Sequence, residues 1–130
     1  MTDFVITEKV NAGGDSVECQ NTLSETDEGF CAASASVADE AVDQQCNWTC
    51  DKDQLKAVLL WSDQDLTVET NAIDATGGNT INLKAGIPYI WYTDSYHVLL
   101  LTENVAVLYL TNASGATASF KAKRLEDSSP

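Results

Sequence analysis

Residues 55–70 have the sequence LKAVLLWSDQDLTVET, in which two apolar segments flank the polar stretch 62–65. Alternate positions of these segments are mostly apolar: Leu55, Ala57, Leu59 and Trp61 in the first, then Leu66, Val68 and Thr70 in the second. Because successive side chains of a β-strand point to opposite faces of a sheet, this alternation predicts two strands, each with one buried face. The polar stretch between them predicts a turn.

Similar short segments continue in both directions, from about residue 42 to about residue 125. Turn residues separate them, as at 77–79 and at 112–116, where the turn predicts a hairpin between strands at about 105–111 and 117–125. Short strands at this spacing are typical of a sandwich or small barrel. The predicted fold class is therefore all-β: a single antiparallel β-sandwich, jelly-roll-like, with about seven to nine strands.

The apolar face of each alternating segment predicts the residues of the core. We expect these eight side chains to be largely buried: Trp48, Leu59, Trp61, Val68, Leu83, Ile87, Val107 and Phe120.

The first forty residues form a less regular, acidic N-terminal segment. Residues 4–7 have the sequence FVIT, which is compatible with a strand or an extended arm, and the glycine-containing stretch 11–15 predicts a loop. The predicted organisation is an N-terminal arm or edge strand at 1–16, a β-sandwich domain at 17–125 and a mobile tail at 126–130.

Seven basic and twenty acidic residues give the chain a formal net charge of −13. A surface of this charge repels phosphates and anionic lipid, so we expect no nucleic-acid partner and no membrane partner. No apolar run approaches the roughly 20 residues of a membrane-spanning helix. The start of the chain has no secretory signal, so we expect synthesis in the cytoplasm.

The four cysteines, Cys19, Cys31, Cys46 and Cys50, permit three disulfide pairings. On an extended strand Cys46 and Cys50 would lie about 13 Å apart, too far for a disulfide. Zinc is disfavoured because the chain has one histidine and no second close cysteine pair. We therefore expect buried free thiols, although a tight turn at 47–49 would permit a disulfide.

Catalytic patterns are weak throughout the chain. The one histidine, His97, follows Asp94 and Ser95 so closely that the three cannot easily form a nucleophile–base–acid triad. Nucleotide-binding glycine motifs are absent. The acidic turns at 51–53 and 63–65 offer oxygen ligands for calcium but lack the EF-hand pattern. We therefore expect a protein that is not an enzyme, with no metal and no cofactor.

The best candidates for an interaction surface are the apolar residues of the N-terminal arm and the aromatic cluster near residue 92. Core packing is the alternative role for the aromatic residues. The candidate interface residues are Phe4, Val5, Ile6, Trp91, Tyr92, Tyr96 and His97.

Three segments carry a resemblance to a known family: DLTVETN at 65–71, TINLKAGIP at 80–88 and VAVLYLTN at 105–112. They resemble the small β-sandwich decoration, or cement, proteins of tailed-bacteriophage heads. The resemblance covers about residues 42–125 and carries over no individual site residue.

The resemblance implies a non-enzymatic virion structural protein on the capsid surface. Such a protein would bind the major capsid protein, form a homotrimer and stabilise the capsid by bridging its subunits. The sequence leaves two alternatives open: a carbohydrate- or receptor-binding β-sandwich module, as in a phage fibre or other adhesin, and a hydrolase with an unrecognised carboxylate pair.

Overall fold

The computed structural model describes residues 2–73 and 78–127, and within these ranges the regular structure is almost entirely β. The strands are β1 (Thr2–Ala12), β2 (Asp15–Glu25), β3 (Phe30–Val37), β4 (Gln44–Cys46), β5 (Leu55–Ser62), β6 (Leu66–Thr70), β7 (Thr80–Leu83), β8 (Tyr89–Tyr92), β9 (Leu108–Thr111) and β10 (Ala118–Glu126). One 3₁₀ turn, Asp27–Gly29, precedes β3. The described ranges hold no helix with the length and apolar character needed to span a bilayer.

Strands β3 to β10 form two four-stranded sheets, in the orders β3-β10-β5-β8 and β4-β9-β6-β7. Every pair of neighbouring strands is antiparallel. Eight strands that cross between two sheets in this order form a jelly roll, the arrangement of two Greek keys. The predicted all-β, jelly-roll-like sandwich is therefore confirmed.

The main core lies between these two sheets. Val58 and Leu60 of β5 face it from one sheet, and Val68 of β6 and Leu108 of β9 from the other. Trp48 is also buried there, and its indole nitrogen donates a hydrogen bond of 3.4 Å to the carbonyl oxygen of Cys31. The core thus forms where the apolar faces of both sheets meet.

Four of the eight predicted core residues are buried: Trp48, Val68, Leu83 and Phe120. The other four predictions are wrong, because Leu59, Trp61 and Val107 are half-buried and Ile87 is 63% exposed. In β5, Val58 and Leu60 face the main core instead. The sequence did not show this because both faces of the strand are apolar. Val107 precedes β9 and Ile87 precedes β8, so neither lies within a strand.

The first two strands form a separate hairpin, paired over its full length from Thr2–Glu25 to Ala12–Asp15. Its turn consists of Gly13 and Gly14, with φ of +58° and +83°, which favours glycine at both positions of a two-residue hairpin turn. Part of the hairpin packs on the outer face of the β3-β10-β5-β8 sheet. There Phe4 and Ile6 contribute to a second buried cluster with Ala57, Tyr92 and Leu125.

These elements differ from the expected boundaries at both ends of the sandwich. Residue 17 lies inside β2, the return strand of the hairpin, so the sandwich begins at β3. At the other end Glu126 belongs to β10, and the backbone nitrogen of Asp127 donates to the carbonyl oxygen of Gln54. Residues 128–130 of the expected tail and Gly77 of the expected turn lie outside the described residues.

One buried side chain links several segments at the end of the sandwich near the hairpin. The Arg124 guanidinium donates to the carbonyl oxygens of Gly29, at 2.8 Å, and Thr49, at 2.9 Å. It also lies 3.3 Å from a carboxylate oxygen of Glu126, which accepts a hydrogen bond from the backbone of Asp51. Arg124 therefore holds together chain segments that are far apart in sequence.

Candidate interaction surfaces

The distal half of the hairpin extends away from the sandwich. Phe4 and Ile6 are buried, but every residue from Lys9 to Gln20 is exposed. Opposite pairs in a hairpin share one face, so the alternation that buries Phe4 and Ile6 continues outward on the same face. Its outer apolar members are Val10, Ala12, Val17 and Cys19, which we call the tip stripe; Asp15, opposite Ala12, shares this face. Val10 is 64% and Val17 is 67% exposed, so within residues 2–73 and 78–127 the valines of the stripe remain exposed apolar surface.

Glu8 anchors the hairpin where the buried half ends. One of its carboxylate oxygens accepts a hydrogen bond of 2.7 Å from the Tyr92 hydroxyl, and the other contacts Nε2 of His97. The hydrogen bond with His97 is the main cause of a lowered Glu8 pKa, and that with Tyr92 is the second. The same contact raises the pKa of Tyr92. The anchor therefore joins the hairpin to β8 and to the loop that follows β8.

An open groove of about 440 Å³ lies beside this anchor. The residues Pro88, Tyr89, Ile90, Val98 and Leu100 line it, together with Glu8 and His97. The Tyr89 hydroxyl holds one wall in place by donating to the carbonyl oxygen of Val98 and accepting from the backbone nitrogen of Leu100. The groove is an apolar shelf next to the edge strand β8, with Val98 72% exposed.

Three of the predicted interface residues are not available at the surface. Phe4, Ile6 and Tyr92 are buried against each other, Ala57 and Leu125. Their apolar surface is used within the chain to attach the hairpin to the sheet, which corrects their assignment to an intermolecular contact.

The other four predicted interface residues differ in accessibility. Val5 and Tyr96 are exposed, and His97 is partly exposed while it contacts Glu8. Trp91 is half-buried against the main core. The structure brings Tyr92 and His97 together, with ring centroids 6.2 Å apart, and leaves Val5 on the opposite face of the hairpin from Ile6.

The groups considered for catalysis have other partners. His97 contacts Glu8, whereas the Ser95 hydroxyl accepts from the backbone nitrogen of Tyr92 at 3.5 Å. Asp63 and Asp65 accept hydrogen bonds from the backbone nitrogens of Ser119 and Ala85. These carboxylates therefore stabilise connections between strands. Within residues 2–73 and 78–127, no three His, Cys, Asp or Glu side chains group closely enough to hold a metal ion.

The cysteines occupy different environments. Cys46 and Cys50 are buried as expected, and desolvation is the main cause that raises the pKa of Cys50 to about 12. Residues 47–49 form no turn between them. Cys31 is half-buried, whereas Cys19 is exposed on the hairpin. A thiol with a raised pKa is a poor nucleophile, because the thiolate is the reactive form.

A basic patch lies on the outer sheet face beside the hairpin, which adjoins the patch at Leu59 and Lys123. Lys121 and Lys123 alternate along β10, beside Trp61 and Leu59 of β5 and Ser34 of β3. The Lys121 ammonium lies 5.5 Å from the centre of the Trp61 ring, a cation–π contact. We call these five residues the lysine patch. Sequence reasoning missed it because Trp61 was placed in the core; the period-two spacing of Lys121 and Lys123 was the available signal.

Comparison with known proteins finds no matching family, no matching curated protein and no matching solved structure.

Proposed function

We propose that the protein is a non-enzymatic structural protein that decorates a tailed-bacteriophage capsid and stabilises it by bridging capsid subunits. The observation that carries the proposal is the projecting hairpin. Its exposed tip stripe lies on the same face as Phe4 and Ile6, which pack against the sheet. The resemblance of three sequence segments to head-decoration proteins supplies the partner, and a jelly roll suits it because viral structural proteins use this architecture.

The hairpin is well shaped to reach a neighbouring subunit. From Glu8 to Ala12 it extends four residues beyond its anchor, or about 13 Å. Backbone hydrogen bonds between two paired strands make such an arm stiffer than a single chain, so less conformational entropy is lost when it binds. Repeated around a three-fold axis, modest contacts of this kind would give strong combined binding.

The charge of the chain supports the same function. A net charge of −13 favours attraction to a basic capsid surface. Charge of this kind steers association more than it sets final affinity, so apolar contacts, those of the tip stripe among them, would hold the assembled copies on the shell.

The test is co-sedimentation with capsid shells of the phage that carries the gene. Deleting residues 9–12 and 15–18 joins Glu8 to Cys19 through the same Gly13-Gly14 turn, because Glu8 and Cys19 are already paired and, four positions from the turn, form the same type of pair as Ala12 and Asp15. We expect the shortened protein to bind shells at least about tenfold more weakly while its melting temperature stays unchanged.

The matched control for this test is Asn11→Ser with Ser16→Thr, which changes the opposite face of the tip and keeps the stripe. It should bind shells as the intact protein does. Equal binding by the shortened protein, or absence of the protein from purified particles, would overturn the proposal.

One observation favours carbohydrate or receptor binding as a second candidate. An open polar groove of about 630 Å³ is lined by Asp65, Thr67, Asn82, Lys84 and Ser114, among others. These groups could bind hydroxyls, but the lining residues include no aromatic side chain on which a sugar ring could stack. Sugar binding that Asn82→Ala removes, measured by titration calorimetry, would favour this candidate over the decoration role.

A further inference from the structure

We propose that the tip stripe of one copy packs on the lysine patch of a second copy, so that copies of the chain join through their hairpin arms. The proposal deepens the proposed function, because it names the contact by which a homo-oligomer on the capsid would form. It commits to a second copy of this chain as the occupant of the patch.

The first argument is continuity with a contact that already exists within the chain. The proximal half of the hairpin packs Phe4 and Ile6 on one end of the outer face of the β3-β10-β5-β8 sheet. The tip stripe continues the same face of the hairpin, and the lysine patch continues the same face of the sheet. The inner part of the hairpin face thus already packs on one part of the sheet face, and the tip stripe and the lysine patch are the remaining parts of these two faces.

The second argument is that the tip is directed away from its own patch. Near residues 2–5 the hairpin adjoins Phe30 of β3 and Lys123 of β10. At Glu8 it is fastened to Tyr92 of β8 and to His97. The hairpin therefore crosses the sheet from β3 towards the edge strand β8, and its tip passes beyond that edge. Because the patch lies on β3, β10 and β5, this tip can meet only the patch of another copy.

The third argument is size. Along β10, the outer face is open from Ser119 past Lys121 to Lys123, where the hairpin begins, a distance of about 13 Å. The two strands of a hairpin lie about 4.8 Å apart, so the open region is wide enough for one hairpin. Trp61, which is half-buried, provides apolar surface there for the valines of the stripe, whereas Leu59 already packs against the cluster of its own hairpin.

The fourth argument is charge. Beyond Glu8 the tip carries Asp15 and Glu18 against Lys9, and Asp15 lies on the face of the tip stripe. Lys121 and Lys123 form no ion pair within the described part of the chain. Two molecules of charge −13 repel at most orientations. An acidic tip on a patch with two free lysines is an arrangement in which the local charges attract.

The resulting contact is head-to-tail, since the tip of one copy meets the patch of the next. Contacts of this kind build closed rings when the rotation between copies closes, and a three-membered ring is the trimer of the proposed function. Each copy then both donates and receives one arm.

The experiment compares the association of four purified proteins by sedimentation velocity: the intact chain, Val10→Asp/Val17→Asp, Lys121→Glu/Lys123→Glu and Asn11→Asp/Ser16→Asp. The last places the same added charge on the opposite face of the same hairpin positions and serves as the matched control. We expect the intact chain and the control to associate at about 100 µM, and the other two to associate at least about tenfold more weakly.

Cross-linking then tests the position of the contact. In a Cys19→Ser background, Val17→Cys is made in a tagged copy and Ser34→Cys in an untagged copy, and the two are mixed under mild oxidation. A disulfide between tagged and untagged chains is expected. A monomeric intact chain, unchanged association of the patch variant, or no mixed cross-link would overturn the inference.

These results are separable from those of the shell-binding test. If the patch variant is monomeric but still binds shells as a monomer, the decoration function stands without depending on the arm contact. If the intact chain forms the cross-linked oligomer but binds no shell, the arm contact stands and the decoration function fails.

Discussion

At the scale of single residues, Arg124 is a nearly buried polar side chain with partners in several chain segments. It is 9% exposed, donates hydrogen bonds to the carbonyl oxygens of Gly29 and Thr49, and forms an ion pair with the Glu126 carboxylate. Removing one partner of a nearly buried pair leaves the remaining groups desolvated and unpaired, which costs more than the pair itself contributes.

We therefore expect Arg124→Ala to lower the free energy of unfolding by about 3 kcal/mol. Urea denaturation followed by tryptophan fluorescence measures the change. Lys123→Ala, at the neighbouring position on the opposite face of β10, is the control and should cost less than about 0.5 kcal/mol. Similar losses in both variants would show that the Arg124 contacts do not stabilise the fold.

A second pair of substitutions tests the facing of β5. Leu60 is fully buried in the main core, whereas Trp61 lies half-exposed under Lys121. We expect Leu60→Ala to cost about 3 kcal/mol, as for buried leucines that leave a cavity. Trp61→Ala should cost about 1 kcal/mol, because part of its surface is already in water. The opposite order of these losses in urea denaturation would mean that β5 is rotated by one residue.

At the scale of elements, the attachment of the hairpin depends on the charge of Glu8. The hydrogen bonds from His97 and Tyr92 lower the pKa of its carboxyl below the ordinary value of 4.5. A carboxyl whose pKa is lower in the folded state stabilises folding above its unfolded pKa. That contribution is fully present above pH 4.5 and is lost as the pH falls through the lowered value.

We expect this change to be visible by NMR between pH 2 and pH 7, a range that brackets the ordinary Glu pKa of 4.5. The Glu8 carboxyl should titrate below 4.5, and the methyl signals of Ile6 and Leu23 should move in the same step. In His97→Ala the Glu8 titration should shift upward. An unchanged titration in that variant would show that His97 does not set the Glu8 pKa.

At the scale of the whole molecule, the net charge controls how copies approach each other. Copies that each carry a charge of −13 repel each other, and salt shortens the range of this repulsion. The Debye length falls from about 30 Å at 0.01 M to about 8 Å at 0.15 M ionic strength. The local attraction between an acidic tip and the lysine patch acts at contact, where screening by salt is weaker.

Self-association should therefore strengthen several-fold between 10 mM and 150 mM salt, unlike an association driven by opposite net charges. Sedimentation velocity at a fixed protein concentration measures this. The Asn11→Asp/Ser16→Asp control should show the same trend with a steeper slope, because it carries more negative charge. A steady weakening with added salt would indicate that long-range attraction dominates.

The sequence by itself determined the class of fold and the positions of most turns. The hairpin predicted across 112–116 was wrong, because β9 and β10 lie in different sheets. Alternation with period two and regularly spaced turn residues are local properties, so they predict strands wherever they occur. Gly13-Gly14 also gave a local signal for a hairpin turn, although the return strand β2 was assigned to the sandwich.

Only the tertiary structure decided which face of β5 meets the main core and what the N-terminal arm touches. Residues 57–60 are apolar on both faces of β5. The other sheet packs on one face, and the hairpin packs on the opposite face. Glu8 and His97 lie 89 residues apart in the chain, and the lysine patch combines three strands that are neighbours only in the folded sheet. Local patterns show that a segment is a strand, but contacts between distant segments determine which of its faces is buried and which strands it pairs with.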